Sequence, residues 1–224
     1  MAVPVRAASV PRMTRLALTP LMVLAALSAC TTVPASEPAP REAFWQALSS
    51  HCGKAYAGRL VSEDAADADM RGAAMTMHVR ECSATRIAVP FHVQRTDGSW
   101  DRSRTWLITR TTDGLRLKHD HRHEDGTSDV LTMYGGDTAG PDAGDEGTAR
   151  AQDFPVDAES VALFRRTGRD VSVTNVWRVE VDRAGTDGAR FAYQLTRPAP
   201  NTRRFRVEFD LARPVSAPPK PWGW

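Results

Sequence analysis

The sequence lacks a strong charge excess, a long apolar run and familiar catalytic motifs. It has 29 Lys and Arg residues against 27 Asp and Glu residues, so no strongly basic surface is expected. No P-loop, G-x-S-x-G or H-E-x-x-H motif occurs, which removes the signals for phosphate binding, a serine hydrolase and a zinc protease. The cysteines form no C-x-x-C pair, and His51 beside Cys52 lacks the C-x-x-C-H motif of covalent haem. These absences favour a protein that is not an enzyme and holds no cofactor.

The most specific signal is a lipobox at residues 27–30, directly behind an apolar segment. Arg12 and Arg15 give a positive start, and the apolar core of about 10–14 residues is shorter than the ~20 needed to span a bilayer. This pattern is typical of an export signal that is cut before Cys30, which then takes lipid. Residues 1–29 are therefore predicted to be a lipoprotein signal peptide. An equally good signal starts at Met13, so a start at Met1 or at Met13 stays open.

The residue that follows the lipidated cysteine indicates the destination. The segment resembles the signals of bacterial lipoproteins, and Thr31 after Cys30, with no Asp there, favours sorting to the outer membrane. An anchor of several acyl chains would hold the chain stably on a membrane. The resemblance implies a lipid-anchored protein of the outer membrane, on its periplasmic side or at the cell surface.

Cleavage before Cys30 changes the charge and cysteine balance. The removed segment carries three arginines and no acidic residue, which leaves 26 basic against 27 acidic side chains. A nucleic-acid partner is therefore not expected. Cys52 and Cys82 remain as a pair in an oxidising compartment, where a disulfide is predicted; two free buried thiols are the alternative.

The mature chain divides by composition into three parts. Residues 30–41 hold the lipidated cysteine and a Pro-rich flexible tether, 42–214 a β-rich globular domain, and 215–224 a Pro- and Trp-rich tail. A short helix is predicted at the start of the domain. A second helix is predicted over 158–167, with Asp157 as its N-cap. The tail cannot pair as a strand; Trp222 and Trp224 would plug one end of the domain or lie on its surface.

Outside the helices, apolar and polar residues alternate with period two, as in Phe191, Tyr193 and Leu195. Asp113-Gly114 and Asp125-Gly126 are hairpin signals. The pattern predicts a mainly β fold, an antiparallel up-and-down meander of about 8–10 strands that is barrel-like, with one inserted helix. A two-sheet β-sandwich is the alternative.

The strand 115–123 carries an H-x-H-x-H pattern, the one cluster with evident chemical potential. A two-residue turn at Asp113-Gly114 would pair His119 with Ile108 and His121 with Trp106, on the inward face. The predicted ligand pocket comprises Arg104, Trp106, Ile108, His119, His121, His123 and Tyr134. Alternatively, His119 and His121 could share a metal ion, since neighbours at i and i+2 are about 6.6 Å apart. In a third interpretation, the imidazole rings pack on Trp106 at the hydrated rim of the barrel and bind no ligand. In each case, burial of the rings predicts that stability or binding depends on pH.

Two other groups carry weaker signals. Acidic residues in the glycine-rich loop 135–148 lack the spacing of an EF-hand, so a solvated loop is expected rather than a calcium site; they are Asp137, Asp142, Asp145 and Glu146. His78 and His92 lie at outward strand positions and are predicted to be surface residues.

Two stretches, residues 44–60 and 101–138, resemble a family of uncharacterised Gram-negative lipoproteins. The resemblance implies a lipobox and a β-rich domain but no known activity. The architecture is also similar to lipocalin-like barrels, although the G-x-W motif of lipocalins is missing. Three functions stay open. They are a non-catalytic envelope lipoprotein that binds a partner or is structural, a carrier of a small apolar or amphipathic ligand, and a metal-binding protein or metalloenzyme that uses His119 and His121.

Overall fold

The computed structural model describes residues 1–4, 8, 37–140 and 146–224. Internal contacts divide the chain into two units, 1–36 and 37–224, and the architecture below is that of the second. The lipobox with Cys30, and Asp142 and Asp145 of the acidic loop, lie outside the described residues. Within the described ranges, no helix is long and apolar enough to cross a membrane.

The described residues of this unit form two α-helices and eleven strands. The helices are α1 (Pro40–Ser49) and α2 (Ala158–Arg166), and a 3₁₀ helix spans Ala65–Met70. The strands are β1 (Ala55–Leu60), β2 (Met75–His78), β3 (Glu81–Cys82), β4 (Arg86–Gln94), β5 (Trp100–Arg110), β6 (Leu115–His121), β7 (Tyr134–Asp137), β8 (Ala151–Pro155), β9 (Val176–Val181), β10 (Arg190–Arg197) and β11 (Arg203–Val215).

The strands form one antiparallel sheet that curls into a nearly closed barrel. Its order is β7-β6-β5-β4-β2-β1-β11-β10-β9-β8, with the short β3 beside β4. The two edge strands meet through a single bridge between Gly136 and Val156. Each strand of this path therefore lies beside its neighbours in the chain, and the predicted up-and-down barrel with a few helices is confirmed. A sandwich would have required two separate sheets.

The alternation of apolar and polar residues places one face of each strand in the core. In β9, for example, Trp177, Val179 and Val181 are buried while the residues between them are half-buried. Burial of a side chain of this size stabilises the fold by about 1.5–3 kcal/mol. The core is therefore filled by side chains over most of the barrel's length.

Helix α1 covers one end of the barrel. Pro40 lies in its first turn, where no hydrogen bond of its nitrogen is lost, and Phe44, Trp45 and Leu48 are buried beneath it. The helix is tied to two hairpins at this end, through Arg110 4.4 Å above the ring of Trp45 and through the Ser50 hydroxyl, which accepts from the amide of the β9–β10 turn. The predicted N-terminal helix is thus confirmed, and it seals this end.

The predicted disulfide is also confirmed: Cys52, just after α1, is bonded to Cys82 in β3. The bond closes a segment of 30 residues. It ties the loop that follows α1 to the strand beside β4.

Helix α2 begins at the predicted residue with the predicted N-cap and ends one residue earlier than predicted, at Arg166. The carboxylate of Asp157 accepts a hydrogen bond from the Ser160 amide at 2.8 Å, which satisfies one of the free donors of the first turn. Gly168, after the last turn, adopts a left-handed φ of 68°. Lys118, on the outward face of β6, is buried beneath the helix start and pairs with Asp157 at 2.8 Å.

The C-terminal tail lies on the outside of the barrel rather than in its mouth. The Trp222 amide donates to the carbonyl of Arg102 on β5, and the Trp224 indole donates to Asp120 on β6 at 3.0 Å. Val215, the first residue of the predicted tail, still pairs with Ala55 at the end of β11, and the residues after it form no strand, as predicted. Of the two predicted placements, the surface is the one found.

The outward face of β4 is not a free surface. His78 and His92 are only 7% and 1% exposed, so the prediction that they are surface residues is wrong. His92 is buried because β4 is covered on both faces, and His78 lies at the end of the neighbouring strand β2. Periodicity along a strand indicates which face a residue occupies, but it carries no information about what covers that face.

Candidate functional site

The β5–β6 hairpin places the histidines inside the barrel, with a different register from the predicted one. Its connection is four residues long, because the Thr111 amide bonds to the carbonyl of Gly114. His119 therefore pairs with Trp106, and His121 with Arg104. The predicted pairs were wrong by two residues. A shift of two keeps every side chain on its face, so the inward placement of His119 and His121 is confirmed.

The barrel has a cavity of about 160 Å³ at the end opposite α1. Five of the seven predicted pocket residues line it, namely Arg104, Trp106, His119, His121 and Tyr134. The other seven lining residues are Asp67, Met70, Phe91, Tyr193, Leu195, Arg203 and Phe205. We refer to this space as the mouth cavity.

Two predicted pocket residues lie elsewhere. Ile108 is deeper in the core, 1% exposed and paired with Leu117. His123 is exposed beyond the end of β6, where its amide bonds to the carbonyl of Thr127 in a turn. The chain leaves the sheet after His121, so the alternation cannot place His123 inside.

Most lining residues that the sequence did not single out come from strands distant in the chain. Tyr193, Leu195 and Phe205 belong to alternating apolar patterns, which indicate their inward face. That they meet β6 at one end depends on the order of the strands. Asp67 and Met70 lie in the 3₁₀ helix between β1 and β2, for which no sequence signal was recognised.

His119 is 3% exposed and has both ring nitrogens engaged. Its Nδ1 lies 3.0 Å from the carbonyl oxygen of Tyr134, and its Nε2 lies 2.7 Å from the hydroxyl of Tyr193. A carbonyl only accepts, so Nδ1 carries the proton and Nε2 accepts from the Tyr193 hydroxyl. Burial, and secondarily the neighbouring His121, lower the pKa of His119 to about 3. The ring is a neutral structural group with no lone pair left over for a metal or a substrate proton.

His121 lies nearer the opening and is less constrained. Tyr134 places its hydroxyl 3.4 Å from Nε2 of His121, a long hydrogen bond. Burial, and secondarily the positive charge of Arg104, lower the pKa of His121 to about 4. Burial likewise raises the pKa of Tyr134 to about 12. At neutral pH the imidazole and the phenol are both uncharged.

The floor of the cavity is a stack of aromatic rings. Trp106 lies between Phe91 and Tyr193, with ring centroids 4.9 and 4.4 Å away, and Tyr134 stacks on His119 at 4.7 Å. Stacked pairs at these distances add about 0.5–1.5 kcal/mol each beyond the area they bury. The floor is therefore rigid and apolar.

The 3₁₀ helix forms part of the opening and is held by an ion-pair clamp. The guanidinium of Arg203 makes a two-pronged pair with the carboxylate of Asp67 and a contact of 2.9 Å with Asp64. Asp67 is 2% exposed and its carboxylate is occupied by Arg203. The clamp fixes Met70 at the cavity.

The opposite side of the opening contains a strained residue. Met133, directly before Tyr134, has a left-handed φ of 56°, a conformation uncommon for residues other than glycine. Its amide bonds to the carbonyl of His119. Such residues persist where the surrounding structure holds them, and they concentrate at functional sites.

Metal ligation finds little geometric support. The structure, over the ranges that it describes, contains no group of three His, Cys, Asp or Glu side chains able to hold an ion. The rings of His119 and His121 stand 6.3 Å apart, and both nitrogens of His119 are occupied. Of the acidic residues predicted to lie in the glycine-rich loop, Asp137 belongs to β7, and its carboxylate is paired with Arg116 at 2.7 and 2.8 Å.

No protein family, no curated protein and no solved structure matches the chain.

Proposed function

We propose that this chain is a membrane-anchored envelope lipoprotein whose β-barrel domain is a non-catalytic binding or structural module. The anchor rests on the lipobox at residues 27–30 and on the Pro-rich tether that follows. Sorting to the outer membrane rests on Thr31 after Cys30.

One observation carries the non-catalytic part of the proposal. His119, the most buried histidine of the cavity, uses both ring nitrogens to hold Tyr134 and Tyr193 in place. A general base or a metal ligand needs a free lone pair directed at the reacting group. His119 has none, so its role is to organise the walls of a binding cavity.

The anchor is tested by expressing the full chain and its Cys30→Ser variant in a Gram-negative host with labelled palmitate. We expect the label and the outer-membrane fraction only with Cys30. The Thr31→Asp variant is a matched control, which should keep the label and leave the outer membrane. Equal labelling of the Cys30→Ser variant would overturn the anchor.

The non-catalytic role is tested by native mass spectrometry of the chain purified from its host. We expect less than one equivalent of metal, with no change in metal content in the His119→Gln and His121→Gln variants. One equivalent of metal that disappears in both variants would overturn the proposal and favour the metalloenzyme.

A carrier of a small ligand is the second candidate, and the mouth cavity favours it. Pockets for drug-sized ligands measure about 300–1,000 Å³. A cavity of about 160 Å³ is too small for such a molecule. It leaves room only for a ligand, or part of one, about the size of a single ring.

A further inference from the structure

The size of the mouth cavity limits what it can hold. An apolar cavity of about 150 Å³ is large enough to bind benzene, and the mouth cavity measures about 160 Å³. Its floor consists of the stacked rings of Phe91, Trp106 and Tyr193, which offer apolar contact without rearrangement. The buried part of a ligand is therefore one ring or an equally compact branched hydrocarbon.

The charged side chains of the lining already form ion pairs with one another or with carboxylates beside the cavity. Arg104 and Arg203 each contribute a positive charge, and Asp67 contributes one negative charge. The two histidines are neutral at pH 7 because burial lowers their pKa values to about 3 and about 4. Asp101 pairs with Arg104, and Asp64 and Asp67 pair with Arg203, so the selection of a ligand head group falls to the hydrogen-bond donors that these pairs leave free.

The hydrogen-bonding groups of the lining indicate which head group a ligand would carry. Arg203 and Asp67 satisfy each other, and both nitrogens of His119 are engaged. Arg104 is different: its Nη1 donates to Asp101 at 2.5 Å, and its side chain is 30% exposed. A guanidinium has five N–H donors in a planar fork, so donors remain beyond the one used for Asp101. His121, paired with Arg104 across the strands, offers a second polar edge.

We propose that the mouth cavity binds a small carboxylic acid, with a ring-sized apolar body on the aromatic floor and the carboxylate on Arg104. A carboxylate matches the planar fork of a guanidinium in two-pronged hydrogen bonds. This inference rests on the proposed function of a non-catalytic binding module and names its ligand class. It places the specificity in Arg104 and leaves His121 to contact the second carboxylate oxygen.

The test uses the full chain in phospholipid nanodiscs, titrated with benzoate at pH 7 by calorimetry and by tryptophan fluorescence, with empty nanodiscs as the blank. Benzamide and benzylamine are the matched probes, because they keep the ring and change only the charge of the head. We expect benzoate to bind with a dissociation constant of about 1 mM or below. Benzamide should bind about tenfold more weakly, since a hydrogen bond to a charged group is roughly twice as strong. Benzylamine should not bind.

Two variants of the chain then test whether the carboxylate of benzoate lies on Arg104. Arg104→Gln should weaken benzoate binding about tenfold or more while leaving benzamide binding unchanged. Arg190→Gln is the matched control, because Arg190 lies outside the cavity with a side chain that is 59% exposed. It should leave the affinity for benzoate intact.

Three results would overturn the inference: no binding of benzoate, equal binding of the three probes, or an unchanged affinity in Arg104→Gln. None of them affects the palmitate label or the metal content, which test the proposed function. Conversely, an unlabelled chain that binds benzoate would remove the lipid anchor and leave this ligand class standing.

Discussion

Lowering the pH from 7 to 5.5 should destabilise this protein strongly, because most of its histidines are buried in the neutral form. His92, His119 and His121 have pKa values lowered to about 4, 3 and 4, in each case mainly by burial. Burial also lowers the pKa values of His51 and His78. Five of the six histidines therefore resist protonation in the folded state.

The direction of the effect follows from proton binding. Between the unfolded pKa near 6.5 and the lower folded pKa, the unfolded chain binds protons that the folded chain does not. The stability contribution is therefore complete above about pH 6.5 and is lost as the pH falls toward the folded pKa. Carboxylates with lowered pKa values act in the same direction, but only below about pH 4, outside this window.

The magnitude can be worked out for the three histidines with the largest shifts. From pH 7 to 5.5, each of them should lower the free energy of unfolding by about 1.3 kcal/mol. Together His92, His119 and His121 contribute about 4 kcal/mol, a large part of the 5–15 kcal/mol typical of a folded domain. His51 and His78 add to this loss.

The assay is urea unfolding at pH 7.0 and pH 5.5, followed by tryptophan fluorescence with the disulfide intact. His121→Gln should reduce the difference between the two pH values by about 1.3 kcal/mol. His123→Gln, at an exposed histidine, should leave the difference unchanged. A difference below about 1 kcal/mol in the unmodified chain would refute the reasoning, because the expected loss of about 4 kcal/mol is well above the error of extrapolation to zero urea.

Three further predictions concern the frame around the cavity. Replacing Cys52 and Cys82 together with alanine should lower the free energy of unfolding by about 3–4 kcal/mol, because the 30-residue loop is no longer closed in the unfolded chain; urea unfolding measures this, and an unchanged midpoint would contradict it. Gly135→Ala should lower the free energy of unfolding by more than about 3 kcal/mol in the same assay, since the added Cβ would meet a carbonyl oxygen of β6 at 1.8 Å. Gly140→Ala is the control, because open space surrounds that position and the free energy of unfolding should not change. Equal effects of the two substitutions would disprove the packing argument. Trp224→Phe should lower the melting temperature by several degrees, consistent with a loss of about 1–2 kcal/mol, because the bond to the buried carboxylate on β6 is lost; a melting temperature equal to that of the unmodified chain would show that the tail does not stabilise the barrel.

The strands and the two helices were predictable because their signals are local. Period-two alternation along β9 and β11 indicates which side chains face the core, and Asp157 marks the start of α2 through a bond to a residue three positions later. The exact pairing of β5 with β6 was not predictable in the same way. It depended on the Thr111–Gly114 turn, which a two-residue hairpin signal does not distinguish from a four-residue connection.

The mouth cavity was only partly predictable for the same physical reason. The inward face of β6 follows from its own alternation, which brought Arg104, Trp106, His119 and His121 together in the prediction. The clamp of Asp67 on Arg203 joins residues 136 positions apart, and no pattern within either segment indicates it. The burial of His92 likewise depends on what covers β4.

The sequence by itself therefore determined the two α-helices and the face on which most strand residues lie, because these depend on neighbours along the chain. It indicated the pairing of Cys52 with Cys82 only by elimination, under the prediction that Cys30 takes lipid. Tertiary structure decided that one end of the barrel is sealed by α1 and that the other holds a cavity. It also decided the chemical state of His119, whose Nε2 is held by the hydroxyl of Tyr193, 74 residues away. That contact turns a residue type typical of catalysis and metal binding into a neutral part of a binding wall.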